Sequence, residues 1–178
     1  VHVNHYSREL LDNTIDLLNR PPADVEDIAA RWVAVGMPLE NEPRPSDLNI
    51  VRDYLTGWAR LIDAIDEPAR VVILNELLAR YASPPTVTDH DGSGWHIHYR
   101  PAAASLGEIL AASTTVAIAQ HLTAHGMHRL ARCALPDCER AYVDHSRPGR
   151  QRYCSHACAN RDAVRRHRHA AKTAGRPA

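Results

Sequence analysis

The sequence predicts an α+β chain that is mainly α. A helical N-terminal domain, interrupted by one β-hairpin, precedes a small C-terminal unit rich in cysteine. Three observations lead there. Apolar residues recur every three or four positions in five stretches before residue 126. Residues 86–100 alternate instead, around Asp91-Gly92-Ser93-Gly94. All four cysteines, Cys133, Cys138, Cys154 and Cys158, fall within 26 residues. The 178 residues suffice for one domain of ordinary size and an appendage.

Residues 6–20 place Leu10, Leu11, Thr14, Ile15, Leu17 and Leu18 at helical spacing and stop at Pro21-Pro22, with Ser7 available as N-cap. In the next helix Val25, Ile28, Ala29, Trp32 and Val33 form one stripe, acidic residues fill its first turn, and Gly36 lies past its end. Residues 37–45 carry three prolines and connect. Ser46 then caps a helix whose stripe runs through Leu48, Val51, Leu55, Trp58, Ile62 and Ile65. Pro68 opens another, through Val72, Ile73, Leu77, Leu78 and Tyr81, and Pro84-Pro85 ends it.

In the hairpin that follows, Trp95, Ile97 and Tyr99 are expected to face the core and His96 and His98 the opposite side. Residues 102–125 return to helix through Leu106, Ile109, Leu110, Val116, Ala117 and Leu122, with Gly126 as the stop. Trp32 and Trp58 belong to apolar stripes and read as core, with the lining of a small-molecule pocket as the alternative.

Net charge is zero, yet residues 129–178 hold 12 Lys+Arg against 4 Asp+Glu, and residues 1–128 hold 9 against 17. A basic tail on an acidic body points to a polyanionic partner, or to the tail lying on the body in an autoinhibited form. No apolar run approaches the roughly 18 residues of a membrane span, and no leader is evident, so a cytoplasmic location is expected.

In a chain read as intracellular, clustered cysteines point to metal rather than disulfides. Cys133 and Cys138 are spaced C-x4-C, and Cys154 and Cys158 C-x3-C. Paired soft ligands of this kind suit one tetrahedral structural zinc ion. Iron–sulfur clusters also take four cysteines, but two separated pairs favour a mononuclear site. With four thiols the shell is complete, so His145 and His156 are not needed, and no position stays open for a catalytic water. Tyr142-Val143 and Arg152-Tyr153 flank a Ser-Arg-Pro-Gly turn and are expected to pair as a short hairpin between the cysteine pairs. Knuckle, hairpin and ligand-bearing helix make a treble-clef-like arrangement. So small a unit depends on its metal, and a chelator is expected to unfold it while the N-terminal helices stand.

From Cys158 onward Arg161, Arg165, Arg168 and Lys172 fall at i, i+4, i+7 and i+11, one cationic stripe with only Ala and Val164 for apolar company. Arg147, Arg150 and Arg152 add to it from the preceding turn. Such a surface can neutralise phosphates, and arginine can read guanine edges.

The series Cys133-x4-Cys138, Tyr142-Val143-Asp144, Ser146-Arg147, Arg152-Tyr153-Cys154-Ser155 and Cys158-Ala159-Asn160-Arg161 resembles the CGNR-type zinc finger of bacterial transcription regulators. Those proteins usually carry an N-terminal helical ABATE domain, and "LLDNTIDLLN" is similar to its opening. Two positions depart from the pattern: Ala159 stands for the usual glycine, and Tyr153, a mild change, for the usual tryptophan or other large aromatic before Cys154. The resemblance implies zinc binding, DNA binding and stress-linked control of transcription. Asn160 is expected to buttress the knuckle backbone, with nucleic-acid contact as the alternative, and Arg161 is divided between the same roles.

Two histidine sets, His96 with His98 and His121 with His125 and His128, could bind metal or sense pH, but neither shows a partner carboxylate by spacing. No nucleophile elbow, phosphate loop or zinc-protease motif is present, so no enzyme activity is expected.

The expected organisation is an ABATE-like sensor or dimerisation domain at 1–128, a four-cysteine zinc finger at 129–172 and a flexible tail at 173–178. The expected role is a nucleoid-associated, zinc-dependent DNA-binding regulator, a small-molecule effector acting on the N-terminal domain. One finger needs a homodimer or a tandem contact for specificity. The alternative is an adaptor that grips RNA or an acidic protein.

Overall fold

A computed structural model describes the backbone of residues 7–89 and 94–174 and the side chains of residues 8–89 and 94–168. The Ser7 side chain, the turn residues 91–93, the Lys172 side chain and residues 175–178 lie outside the described residues. The chain is mainly helical, with two small two-stranded sheets. No described helix is long and apolar enough to cross a membrane.

Helix α1 spans Ser7–Asn19, and its Leu10, Leu11, Thr14 and Leu17 are buried. Helix α2, Val25–Ala34, is capped by Asp24, whose Oδ1 accepts the Asp27 N–H at 2.8 Å. It buries Ile28 and Trp32, and the Trp32 indole N–H donates to the Pro38 carbonyl at 3.1 Å. Val33, expected on the same stripe, is exposed, because it sits at the edge of a ten-residue helix covered on one side only.

Helix α3 runs Pro45–Ile62, so Ser46 lies inside it and is not the cap. The N-terminus is satisfied instead by Asp47, whose Oδ2 accepts the Arg44 N–H at 2.8 Å, with Pro45 at the first helical position. Asp63 caps the other end, which leaves Ile65 past the helix and 93% exposed rather than in the core.

Helix α4, Glu67–Tyr81, is capped by Asp66 through the Ala69 N–H at 2.8 Å and buries Leu74 and Leu77. Val72, expected in its stripe, is exposed. Helix α5, Leu106–His125, starts with a reciprocal box: the Ser105 hydroxyl accepts from Glu108 N–H, and Glu108 accepts from Ser105 N–H at 2.7 Å. Gly126 ends it, as expected.

Helix α5 is the hub, with α1, α3 and α4 packed around it. Trp32, Tyr54, Trp58, Leu110 and Ile118 are fully enclosed in the shared core. The Tyr54 ring meets Trp58 and Tyr81 edge-on, at 5.9 and 5.4 Å between centroids. At the start of α5 the backbone passes directly against α3. Asp47 Oδ1 accepts the Gly107 N–H at 3.1 Å, and a Cβ on Gly107 would stand 3.0 Å from the Asp47 carbonyl oxygen.

Strands β1, Thr86–Thr88, and β2, His96–His98, form the expected hairpin, with Val87 opposite Ile97. Its faces are reversed. Trp95 is 79% exposed, and Val87 and Ile97 point out, while His96 and His98 lie on the half-buried side, their Nε2 atoms 3.0 Å apart. Alternation alone reveals two faces without telling which one meets the body.

The second sheet pairs β3, Leu130–Arg132, with β4, Ala141–Val143, in antiparallel register. The expected partner of Tyr142-Val143, residues 152–153, forms no strand. Leu130, Ala141 and Val143 are part of the same buried core as α1 and α5. Asn19 clamps the junction: its Oδ1 accepts the Ala141 N–H at 2.8 Å, and its Nδ2 donates to the Ala141 carbonyl at 2.9 Å. Packing thus crosses the boundary expected at 128/129, and β3–β4 is held by the helices as well as by whatever the cysteines bind. Helix α6, His156–Ala174, runs past the expected end of the finger at 172.

Candidate metal centre and basic helix

The cysteines are gathered by three short-range devices. Strand β3 leads directly into Cys133, whose N–H donates to the Arg140 carbonyl at 2.9 Å, so the C-x4-C loop closes the tip of the β3–β4 hairpin. Inside it a turn brings the Cys138 N–H to the Leu135 carbonyl at 2.9 Å. The returning chain is strapped to this knuckle by Ala134 N–H to the Arg152 carbonyl, 2.7 Å, and by Cys154 N–H to Cys133 Sγ, 3.4 Å. Ser155 then caps α6, its hydroxyl accepting the Cys158 N–H at 3.2 Å and its carbonyl the Ala159 N–H at 3.1 Å.

Those contacts bring the four sulfurs within 4.8 Å of one another. Cys138 and Cys154 are 3.7 Å apart, Cys154 and Cys158 3.6 Å, and Cys158 and Cys138 3.9 Å. A tetrahedron of sulfurs about 2.3 Å from a central zinc ion has edges of about 3.8 Å. The donor set and its spacing therefore fit one zinc ion, ligated by Cys133, Cys138, Cys154 and Cys158. Leu135, buried, closes the cluster on its apolar side. With four thiolates such an ion would be structural, and it would hold the knuckle and the start of α6 together.

Two of the thiols shift in opposite directions. The Ser155 hydroxyl, against a smaller opposing effect of burial, brings Cys158 down to about 7. Burial and the neighbouring cysteines push Cys154 up to about 12. A divalent cation at the centre would favour the thiolate at every sulfur, since each would then face positive charge.

Two polar locks were not anticipated from sequence. Asp162, buried on α6, accepts the Tyr153 hydroxyl at 2.7 Å and Arg165 Nη2 at 2.9 Å, and Arg166 Nε lies 3.0 Å away. Tyr153 first, then the two arginines, hold its carboxyl below the usual range. The signal was present: a single acid in an otherwise basic helix, one turn past Cys158. The second lock is buried Asp144, which accepts the Ser146 N–H at 2.8 Å and the Gln151 N–H at 3.0 Å, with Arg129 3.7 Å away. Burial alone would raise its pKa, but these hydrogen bonds and Arg129 bring it below the usual value. Arg129 also donates to the carbonyls of His125, Asp144 and Ser146. Gly149, at φ +64°, crosses over its guanidinium, where a Cβ would stand 2.6 Å from Cζ.

The loop shaped by this lock presents Arg147, Arg150 and Arg152 to solvent, and α6 presents Arg161, Arg165 and Arg168. Arg152 also lies over the Tyr153 ring, 5.9 Å from its centroid. Arg165 is tied in part to Asp162. Among the described residues Arg147, Arg150, Arg161 and Arg168 form no ion pair, and α6 has no extensive packing against another helix or strand. Asn160 is exposed, and its side-chain amide makes no hydrogen bond among the described residues. The buttressing expected of its amide falls instead to Ser155 and Asp162, because Asn160 projects from the outer side of the first helical turns.

The histidines group differently from their spacing. His121 and His125 stand one turn apart with centroids at 5.0 Å, and the third ring is His145 from the loop after β4, 5.2 Å from His121, rather than His128. His145 Nε2 also meets Asp12 Oδ1 at 3.0 Å. Among the described residues only the four cysteines form a group of three or more donors at metal-ligand spacing.

No curated protein matches the chain. Residues 129–171, the segment that runs from the Arg129 lock through all four cysteines and most of α6, match the family model of the CGNR zinc finger.

Proposed function

We propose that this chain is a zinc-dependent, DNA-binding regulator of transcription in which the finger meets the duplex through α6 and the loop before it. One observation carries the reading. Helix α6, 19 residues and so about 28 Å long, is fixed at its N-terminal end by the cysteine cluster, carries exposed arginines and, among the described residues, has no extensive packing against another helix or strand. A helix of that size suits a major groove, and Arg147, Arg150 and Arg152 beside its start suit the flanking phosphates. Intramolecular neutralisation is limited: the described α6 arginines that form ion pairs do so with Asp162 of the same helix.

On this reading the helical body is the ABATE-like sensor or dimerisation part of a bacterial stress-linked regulator, acting in the cytoplasm at the nucleoid. The zinc is structural and the protein performs no catalysis. The test is selection of bound duplexes from a random DNA pool by the zinc-loaded full chain at physiological salt. An enriched motif, with affinity falling steeply as salt rises, supports the reading, and paired half-sites would report a dimer. No enrichment and no binding to duplex overturns it and leaves RNA or an acidic protein as the finger's partner.

A further inference from the structure

Between α1 and the finger lies an open cleft of about 410 Å³, within the size range of small-ligand sites. One wall is a single face of α1, where Arg8, Asp12 and Ile15 follow at i, i+4 and i+7. The other wall is β4 with the residues on either side of it, beginning at Arg140, and the cleft reaches Cys154 of the metal centre. A ligand here touches the helical body and the finger at once.

The charges in the cleft are unbalanced. Five other arginines of the acidic body meet carboxylates, Arg20 and Arg31 with Asp16, Arg60 with Glu76, Arg80 with Asp53 and Arg100 with Glu40, and Arg52 and Arg70 donate to backbone carbonyls. Arg8 and Arg140 have no ion pair or side-chain hydrogen bond among the described residues, although an acid is close at hand. That acid, Asp12, is engaged by His145 Nε2. The Asn19 amide, also on the wall, is consumed by both backbone groups of Ala141. What remains is Arg8 on the α1 wall and Arg140 beside β4, which line the cleft together with the apolar Ile15 and Val143.

We propose that this cleft binds the oxyanion of a ligand, a phosphate or carboxylate, between Arg8 and Arg140, and thereby couples the finger to α1. Guanidinium groups bind such anions through paired, charge-assisted hydrogen bonds, and opposite walls let one anion bridge the two parts. The site does not depend on how α6 is used. Its anion is either carried by a free small molecule or belongs to a nucleic-acid backbone.

The experiment is an amide NMR titration of the zinc-loaded full chain with inorganic phosphate, repeated on Arg8→Gln and Arg140→Gln. Both side chains are exposed, and unchanged zinc content and thermal midpoint verify the fold of each variant. Saturable shifts centred on 8–19 and 140–151, with affinity roughly tenfold or more weaker in each variant, are expected. Absence of saturable shifts, or shifts that persist unchanged in both variants, overturns the site. A duplex arm then assigns the source: displacement of phosphate by DNA, with weaker DNA binding in the variants, places a backbone phosphate in the cleft. Simultaneous binding of both places a free anion there.

Discussion

The Tyr153 hydroxyl donates to the Asp162 carboxylate at 2.7 Å, linking the residue before one zinc-ligating cysteine to the residue one turn beyond another. The pair stands behind the ligands as a positioning contact, since neither side chain offers a donor atom to the metal centre.

Tyr153→Phe removes only the hydroxyl. Zinc affinity is expected to fall on the order of tenfold in Tyr153→Phe and in Asp162→Asn, measured by competition with a chromophoric chelator. Unchanged affinity in both would assign the contact to helix orientation alone.

Metal removal separates two kinds of support. With Leu130, Ala141 and Val143 in the helical core, chelation or Cys138→Ser should release the cysteine loop and α6 but leave α1–α5 and the β3–β4 pairing in place. Metal analysis is expected to give one zinc per chain before treatment and none after. Circular dichroism should lose only the α6 share of helix. Collapse of the whole helical signal would show that the core depends on the finger.

At Gly107 the close neighbours are backbone, the carbonyl oxygen and Cα of Asp47. Gly107→Ala forces a Cβ to 3.0–3.1 Å from Asp47 backbone and side-chain atoms, an overpacking expected to cost about 1–3 kcal/mol. Asp47→Ala strands the N–H groups of Arg44 and Gly107 and should cost a similar amount, about 1–3 kcal/mol. Denaturant midpoints of the two variants measure both costs, and values near wild type would mean the α3–α5 contact relaxes freely.

Acid should loosen the junction at His121. Burial, with His145 and then His125 beside it, lowers the His121 pKa from 6.5 to about 4. The unfolded chain therefore binds more protons in that interval. Stability is fully present above pH 6.5 and is lost as pH falls toward 4. The ring is only about half-buried, so the loss is a fraction of the full linkage. Thermal midpoints measured from pH 7 to 4 should decline less steeply for His121→Leu than for wild type, and parallel profiles would exclude His121 as the source.

If α6 meets a duplex, each arginine on a phosphate should reduce the slope of log affinity against log salt by about one when removed. Arg161→Gln and Arg168→Gln, both exposed and without ion pairs among the described residues, are the informative variants. A slope unchanged in both would take α6 out of the phosphate contacts.

The helices and the metal ligands were legible in the sequence because their causes are local. Periodic leucines and stops such as Pro21-Pro22 and Gly126 each act within one or two turns, whereas the caps Asp24 and Asp66 and the box of Ser105 with Glu108 emerged only with the structure. The four cysteines were legible because soft ligands in two close pairs suit one tetrahedral ion. Ile65 was misplaced because the stripe continues past Asp63 although the helix does not.

Sequence alone determined that zinc-binding chemistry lies between 133 and 158 and that a basic helix follows. Tertiary structure decided the rest. It turned Trp95 and Ile97 outward and His96 and His98 inward, because alternation is symmetric until a body covers one face. It paired Ala141 with Asn19 across 122 residues and Gly107 with Asp47 across 60, contacts that no local pattern encodes. It also chose which arginines are spent and which are left: Arg129 is folded under Gly149 and Arg165 is tied to Asp162, whereas Arg161 and Arg168 face solvent. The physical reason is common to all three. Local geometry decides what a segment can be, but a charge or an apolar face acquires its role only from the partner that the fold brings to it.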